Sequence, residues 1–499
     1  LQTHKRLISI ILVCFLILLS ACSSNKQSST NESSGEGGNI PEVNMVFFTT
    51  TVPKDLNLVQ DEINKITKKK INATVKLTPI NIGNYVQQTN LMLSSNEKAD
   101  LMLVTSFFGY TSQVAKGQLL PLDDLVDKYG QDIKKVMDPD YLNAAKVSGK
   151  MYAIPTLRDM AGASGINMRK DLVDKYHIDI SKIKTMDDVE SMLKTIKKNE
   201  PSITPIVPFQ AGAQPTVVYN WFDPLGDTLG VLPNYDNNLK VVDLYETKDY
   251  AQFVEKMRKW HDEGLTLKNP TTNTEAGTNL VKSNVGFSYF SPQKPGIALQ
   301  ESQITTVPMV TTSLKEPVTT TSAVTTMMWG IPQGSKVPEA AMKFLNLMYQ
   351  DKEIVNLLDW GIEGKHYVKV SDNVIKYPNG VDAKNDGYNL NMSFAMGDAF
   401  LSYVFEGNDP NLWTQTEEFN KSALKSKALG FNFDSSPVKT EVTAVTNVVS
   451  KYALGLESGV LDPKTKLPEF ISSLKAAGIE KIIKEKQKQL NEWANNQNK

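Results

Sequence analysis

Cysteine is almost missing from this chain. Two occur in 499 residues, Cys14 and Cys22, and from Ser23 onward there is no thiol. The body therefore has no disulfide, no thiolate metal ligand and no cysteine nucleophile. Histidine is scarce as well. His4, His177, His261 and His366 lie far apart with no His-Glu-x-x-His, which argues against a zinc hydrolase. No Gly-x-Ser-x-Gly and no glycine-rich phosphate loop occurs, so serine hydrolysis and ATP binding lose their usual carriers. Neither a metal nor a cofactor is expected. Charge of one sign is lacking: the formal net charge is -1, and nothing points to nucleic acid. No repeat with a period of about 20–50 residues is present. The carboxylate pairs Asp123-Asp124, Asp187-Asp188 and Glu417-Glu418 read as solvated helix starts or charged surface rather than glycosidase acids. The run Asp382 to Gly387 lacks the EF-hand pattern.

What is present begins with a basic start, His4-Lys5-Arg6, and an apolar run from Leu7 to Leu19. That run, about 13 residues, is short for a bilayer core of roughly 30 Å. With small residues after it, it reads as a secretory signal over residues 1–21. Leu19-Ser20-Ala21-Cys22 resembles the lipobox of bacterial lipoproteins, Leu-(Ala/Ser)-(Gly/Ala)-Cys, position by position. The resemblance implies that the Cys22 thiol is acylated and becomes the new N-terminus; the alternative is a plain secretory signal with an incidental cysteine. Losing Lys5 and Arg6 with the signal takes the net charge from -1 to -3. Residues 22–41 are dominated by Ser, Asn and Gly, with no apolar residue after Cys22 before Ile40. Such a segment buries too little to fold and is expected to be a flexible tether. A lipid-anchored body on the outer face of the cell membrane, in a Gram-positive bacterium, is the expected setting.

The chain is too long for one core, and two or three domain-sized lobes are expected. Val43 to Phe48 has the pattern of a buried strand. Leu56, Val59, Ile63 and Ile66 fall at helical spacing after Pro53, with Lys68-Lys69-Lys70 where cations suit the helix C-terminus. Ala73 to Leu77 alternates as a second strand, Tyr85 to Leu93 as a second helix, and Asp100 to Val104 as a third strand. This βαβαβ order predicts a parallel α/β sheet. Ligands of such sheets collect at the carboxyl ends of the strands, and the loop after the third strand, Ser106-Phe107-Phe108-Gly109-Tyr110, is rich in aromatics and hydroxyls. Further on, Met186–Lys198 and Tyr250–Glu263 read as amphipathic helices, and Val324–Pro332 as a strand. The Thr-rich stretch 310–326 reads as a strand with its loops.

Leu119-Leu120-Pro121-Leu122-Asp123, Gly149 to Pro155 and Asn167 to Tyr176 resemble, in that order, the family 1 extracellular solute-binding proteins of ABC importers, the maltose-binding type. Asn279 to Phe287 and Ser335 to Leu345 continue the likeness. Gly430 to Asp434, Ala477 to Lys481 and Gln487 to Trp493 resemble the C-terminal part of its LplA-type lipoproteins. The resemblance implies a two-lobed, periplasmic-binding-protein-like α/β fold, with discontinuous lobes, hinge crossovers and a helical C-terminal part. The expected division is 42–155 plus about 300–345 as lobe 1, 156–299 plus about 346–425 as lobe 2, and 426–499 as a C-terminal region. It also implies a monomer that carries a carbohydrate, an oligosaccharide, to ABC permease subunits, without catalysis.

A sugar presents an apolar ring face and a rim of hydroxyls. Its site needs flat aromatics together with amide, carboxylate or guanidinium groups. Of six tryptophans, Trp221, Trp329 and Trp360 are candidates, followed by Tyr289 and Phe290; for each the competing reading is core packing. Arg158 and Asp159, at the expected crossover, and Glu363, after Trp360, are polar candidates, with structural salt bridges as the alternative. A glycan hydrolase, a sensory or adhesive lipoprotein and a peptide importer remain the competing functions.

Overall fold

The computed structural model describes residues 40–95 and 97–497. The expected signal, the Cys22 lipid site and the tether up to residue 39 lie outside the described residues. Among the described residues no helix is long and apolar enough to cross a membrane.

The first sheet has the order Thr74–Asn81, Glu42–Thr49, Leu101–Val104, Met328–Gly330, Ala153–Pro155. Its first three strands are parallel, with Val43 opposite Val75 and Met45 opposite Leu101, as the βαβαβ pattern predicts. Every residue from Val43 to Thr49 is buried, as for a parallel strand covered on both faces. The helix Leu56–Ile71 lays Val59, Ile63 and Thr67 on the sheet and ends with Asn72 in the left-handed region at φ 49°. The segment expected to run as one strand from Val324 to Pro332 is divided. Thr320 caps a short helix, Thr321–Val324, and only Met328–Gly330 is strand, antiparallel to both neighbours. A Thr that accepts the N–H of Ala323 competes here with the extended conformation.

The second sheet has the order Met309–Ser313, Ala163–Arg169, Gly286–Gln293, Thr204–Ile206. The strand Ala163–Arg169 is antiparallel to both neighbours, and Thr204–Ile206 is parallel to Gly286–Gln293.

Two large apolar cores correspond to two lobes. The first gathers Val46, Leu103, Ile154 and Trp329 under the first sheet's helices, together with Met348, Tyr349, Leu358, Tyr388 and Met396. These last five lie in a stretch expected in the second lobe and pack instead into the first core, while Trp360, Tyr367 and Ile375 of the same stretch form a small cluster of their own with Tyr403. The helix Lys352–Trp360 buries Ile354, Leu357 and Leu358 in this core, and Asp351, whose carboxylate caps it, also binds Lys70 Nζ at 2.6 Å and so ties it to the helix Leu56–Ile71. Residues 300–313 go the other way, because Met309–Ser313 is an edge strand of the second sheet. The C-terminal helices Lys439–Glu457, Pro463–Ala477 and Ile479–Gln497 are not a separate body either. Val445, Phe470 and Ile482 share the second core with Phe253 and Trp260.

Candidate functional site

The strand directions fix where a ligand can meet both lobes. In the first sheet, strands ending at Thr49, Asn81, Val104 and Pro155 all point toward the exit to the second lobe. In the second, the strands ending at Ile206, Gln293 and Ser313 point toward Ala163, where that lobe begins. Both sets of carboxyl ends therefore converge on the crossovers, the position favoured for ligands of α/β sheets and of domain junctions. The crossovers are laced together. Gly162 and Val318 exchange backbone hydrogen bonds at 3.1 and 2.9 Å, and Val318–Thr319 pairs with Leu424–Lys425. The Asn420 side chain accepts from the N–H groups of Met160 and Ala161 at 2.8 and 3.2 Å, and donates to the carbonyl of Arg158 at 2.6 Å.

At the first lobe's rim, Thr105 Oγ1 accepts the N–H of Phe108 at 2.9 Å, closing a tight turn. Gly109 ends that turn at φ 86°, a conformation that glycine adopts without strain. The turn throws Phe107 outward, 76 % exposed. Beneath it Phe48, Tyr85 and Phe108 form a triangle with ring centroids 5.5, 5.8 and 6.2 Å apart, and Tyr85 Oη donates to the Leu103 carbonyl at 2.6 Å. Thr49, Thr50, Thr51 and Asn81 line the adjacent strand ends, with Asn81 Nδ2 on the Thr50 carbonyl at 3.1 Å.

The second lobe answers with aromatics. The Asn220 N–H donates to Ser164 Oγ at 3.2 Å, and the Ser164 carbonyl takes the N–H groups of Leu314 and Lys315. Tyr219, Trp221 and Lys315 are thereby fixed beside the first crossover. Tyr219 stacks on Phe290 at 5.0 Å and on Phe253 at 5.9 Å, and Trp221 lies 5.5 Å from Phe253. An open groove of about 730 Å³ runs from Tyr219, Trp221 and Lys315 along the helices that begin at Met186 and Lys248.

Residues 54–354 match the family described as bacterial extracellular solute-binding protein, and residues 427–495 match a domain of unknown function. The chain is a bacterial extracellular solute-binding protein. It is 27% identical over 491 residues to a carbohydrate ABC transporter substrate-binding protein of Streptococcus pneumoniae, covering 96% of each. Its fold matches a crystal structure of the N-glycan transport solute-binding protein NgtS from the same organism, with TM-score 0.82, 24% identity and coverage of 92% of this chain and 100% of that one. NgtS in complex with Man5GlcNAc matches with TM-score 0.68 and 25% identity over 91% and 99% of the two chains.

In this solute-binding protein the residues singled out from sequence scatter. Trp221 is half-buried and walls the groove. Phe290 lies buried behind Tyr219, stacked also on Trp260 at 6.3 Å. Tyr289 is buried, its hydroxyl on Glu301 Oε2 at 2.5 Å. Trp329 is wholly buried in the first core and donates to the Ala395 carbonyl at 2.7 Å. Trp360 is buried too, with its N–H on Ser402 Oγ at 2.8 Å. These four rings have no free face for a sugar. Glu363 is exposed and pairs with Lys369 at 2.9 Å. Arg158 and Asp159 do sit at the crossover, yet they serve each other. Arg158 binds Asp159 Oδ1 at 2.9 Å and the Ala323 carbonyl at 2.7 Å, and Lys294 closes on Asp159 at 2.8 Å. Burial pushes the Asp159 carboxyl up, but Lys294 and Arg158 outweigh it and hold it below the usual range.

Reasoning from sequence did not select Phe107, Tyr219, Lys315 or Asn420. Phe107 carried a signal, an aromatic at the end of a parallel strand. Asn420 carried none, because its three partners lie about 260 residues away along the chain. Among the described residues no three His, Cys, Asp or Glu side chains are placed to hold a metal ion.

Proposed function

We propose that this protein captures an oligosaccharide between its lobes and hands it to an ABC permease, while a lipid on Cys22 keeps it at the outer face of the membrane. One observation carries the reading. The carboxyl ends of both sheets meet at the crossovers, with an exposed aromatic, Phe107, on the first lobe and the half-buried Trp221, beside the buried Tyr219, on the second. An aromatic ring on each lobe near the crossovers, with Thr and Asn groups beside the first, suits the ring faces and hydroxyl rim of a sugar. The relatives support the ligand class: one is described as a carbohydrate transporter component, and NgtS is seen with Man1GlcNAc and with Man5GlcNAc.

Capture between two lobes would proceed by hinge closure on the ligand, a shift of population toward the closed arrangement.

Calorimetric titration of the body from residue 23 with Man1GlcNAc, Man5GlcNAc and a mixed peptide pool tests the reading. A ligand present at 100 times its Kd adds about 2.7 kcal/mol to stability, so thermal shift is the parallel readout. Saturable heat with a glycan and none with peptides supports it; a response to peptides alone overturns it. For the anchor, palmitate should label the full chain in cells and leave Cys22→Ser unlabelled.

A further inference from the structure

Residues 220–242 bring Asn220 and Trp221 to the junction, yet they have little regular structure of their own. Leu232 pairs with Asp223, Pro233 with Phe222 and Val231 with Val242, and that is their whole ladder. Among the described residues, seven of the thirteen non-glycine residues at positive φ fall between Leu225 and Leu239. Leu225 and Thr228 stand at φ 48° and 63°, where bulky and β-branched side chains are strained. A backbone of that kind keeps its shape only where its surroundings over-determine it.

Those surroundings come from the C-terminal stretch, 427–495, that matches a domain of unknown function. On its last helix, Ile479–Gln497, the buried Lys486 closes on Asp227 and on the Gly230 carbonyl at 3.1 Å. The Gln487 amide accepts the N–H of Val241 at 2.8 Å and donates to the Leu239 carbonyl at 2.9 Å. Leu490 shares a small core with Leu225, Leu232 and Val241. The start of the same stretch holds the segment from its other side: the Lys427 N–H donates to the Tyr235 carbonyl at 2.9 Å, just after the crossover pair Leu424–Lys425. From there the contacts run to the junction. Tyr235 Oη donates to Asn220 Oδ1 at 2.7 Å, and the Asn234 N–H donates to the Trp221 carbonyl at 2.8 Å.

We propose that the domain of unknown function is a template for the ligand site: it holds residues 220–242 in the one shape that sets Asn220 and Trp221 at the junction before a sugar arrives, with Gln487 as a positioning residue. The inference rests on the oligosaccharide reading above and gives the C-terminal residues a part in it. Only the fraction of molecules that already holds the site in shape can bind, so loosening the template lowers affinity in proportion to that fraction.

Two glutamines on the last helix test the role in the body from residue 23. Gln489 clasps Asp434 much as Gln487 clasps the segment: its amide accepts the Asp434 N–H and donates to the Asp434 carbonyl, both at 2.9 Å. Both glutamines are half-buried, so Gln487→Ala and Gln489→Ala remove matched hydrogen bonds without opening a core, and their melting temperatures should fall alike. Only Gln487→Ala should raise the Kd for Man5GlcNAc, by about five- to tenfold. The loss should lie in the association rate, with dissociation unchanged, because fewer molecules are ready to bind. Deuterium exchange on the ligand-free protein is the second readout: the amides of Val231, Asn234 and Val242 should exchange faster in Gln487→Ala and not in Gln489→Ala. Equal losses of affinity in the two variants, or none in Gln487→Ala, overturn the positioning role and leave the oligosaccharide reading intact. Failure of the unmodified protein to bind Man5GlcNAc counts against that reading instead; exchange then decides the template, and equal exchange in the two variants overturns it.

Discussion

Phe107 adds little to the first core, since three-quarters of its surface meets solvent, and that makes it a clean probe. Phe107→Ala should leave the melting temperature unchanged within a degree or so, while glycan affinity falls by about tenfold, as for a stacking anchor. Calorimetry on the variant checks both halves of that statement. Glu457 is the opposite case. It is fully buried, accepts from the N–H and hydroxyl of Thr216 at 3.1 and 2.8 Å, and takes the Tyr250 hydroxyl at 3.2 Å. Burial pushes its carboxyl up to about 7, and burial likewise raises Asp398 to about 7. An ordinary carboxyl in the unfolded chain loses its proton near pH 4. Between about pH 4 and 7 the folded state therefore holds protons that the unfolded state has released, and stability falls as pH rises through that window. The depressed carboxyls, Glu190 among them, act below it. Melting temperature should be higher at pH 5.5 than at pH 8, and Glu457→Gln, which keeps an acceptor for Thr216 and gains a donor for Tyr250, should flatten the slope. A slope unchanged in that variant would remove Glu457 from the account. Trp329 and Trp360 explain why such sites are hard to read in a sequence. A tryptophan whose N–H finds a carbonyl or hydroxyl inside the core looks, letter by letter, like one that faces a sugar.

Elements were legible where local pattern and tertiary demand agree. The strand Val43–Phe48, apolar except for Asn44, and the spacing Val59–Ile63 need no distant partner to declare themselves, and the parallel strand and the helix they predict are present. The division of the chain between lobes was not legible. The helix Lys352–Trp360 packs Ile354, Leu357 and Leu358 on strands and helices hundreds of residues earlier, and Asp351 binds a lysine some 280 residues before it; no window of sequence contains both. The hinge has the same character. Asn420 holds the first crossover by three hydrogen bonds, of which two come from buried N–H groups. Asn420→Ala orphans all three partners, and at about 1 kcal/mol or more for each unsatisfied group the cost should reach roughly 3 kcal/mol. Urea unfolding measures it. Because the loss lies at the crossover and not in either core, glycan affinity should also fall; a variant destabilised as stated but binding with unchanged affinity would show that the lacing carries no part of ligand capture.

The whole molecule is two cores tied at one laced junction, with the C-terminal helices built into the second core rather than appended to it. Phe470 lies 4.6 Å from Tyr245 and 5.3 Å from Tyr452, ring centre to ring centre. Lys486, fully buried, is held by Asp227 and by the Gly230 carbonyl at 3.1 Å. Ending the chain after Phe433 would take Tyr452, Phe470, Ile482 and Lys486 away together. It would open the faces of Phe253 and Trp260 to water and leave Asp227 without its cation. Each large side chain lost from a core costs about 3–5 kcal/mol, against a total stability of about 5–15 kcal/mol for an ordinary domain, so the second lobe cannot stay folded. The first lobe shares none of these contacts and should persist. Limited proteolysis of the shortened chain should therefore spare the segments that build the first core, 42–160 and 320–400, and digest the segment 163–313. Cleavage spread evenly over both would show that the junction couples the cores into one cooperative unit. Survival of 163–313 would show that the second sheet does not depend on the helices that cover it.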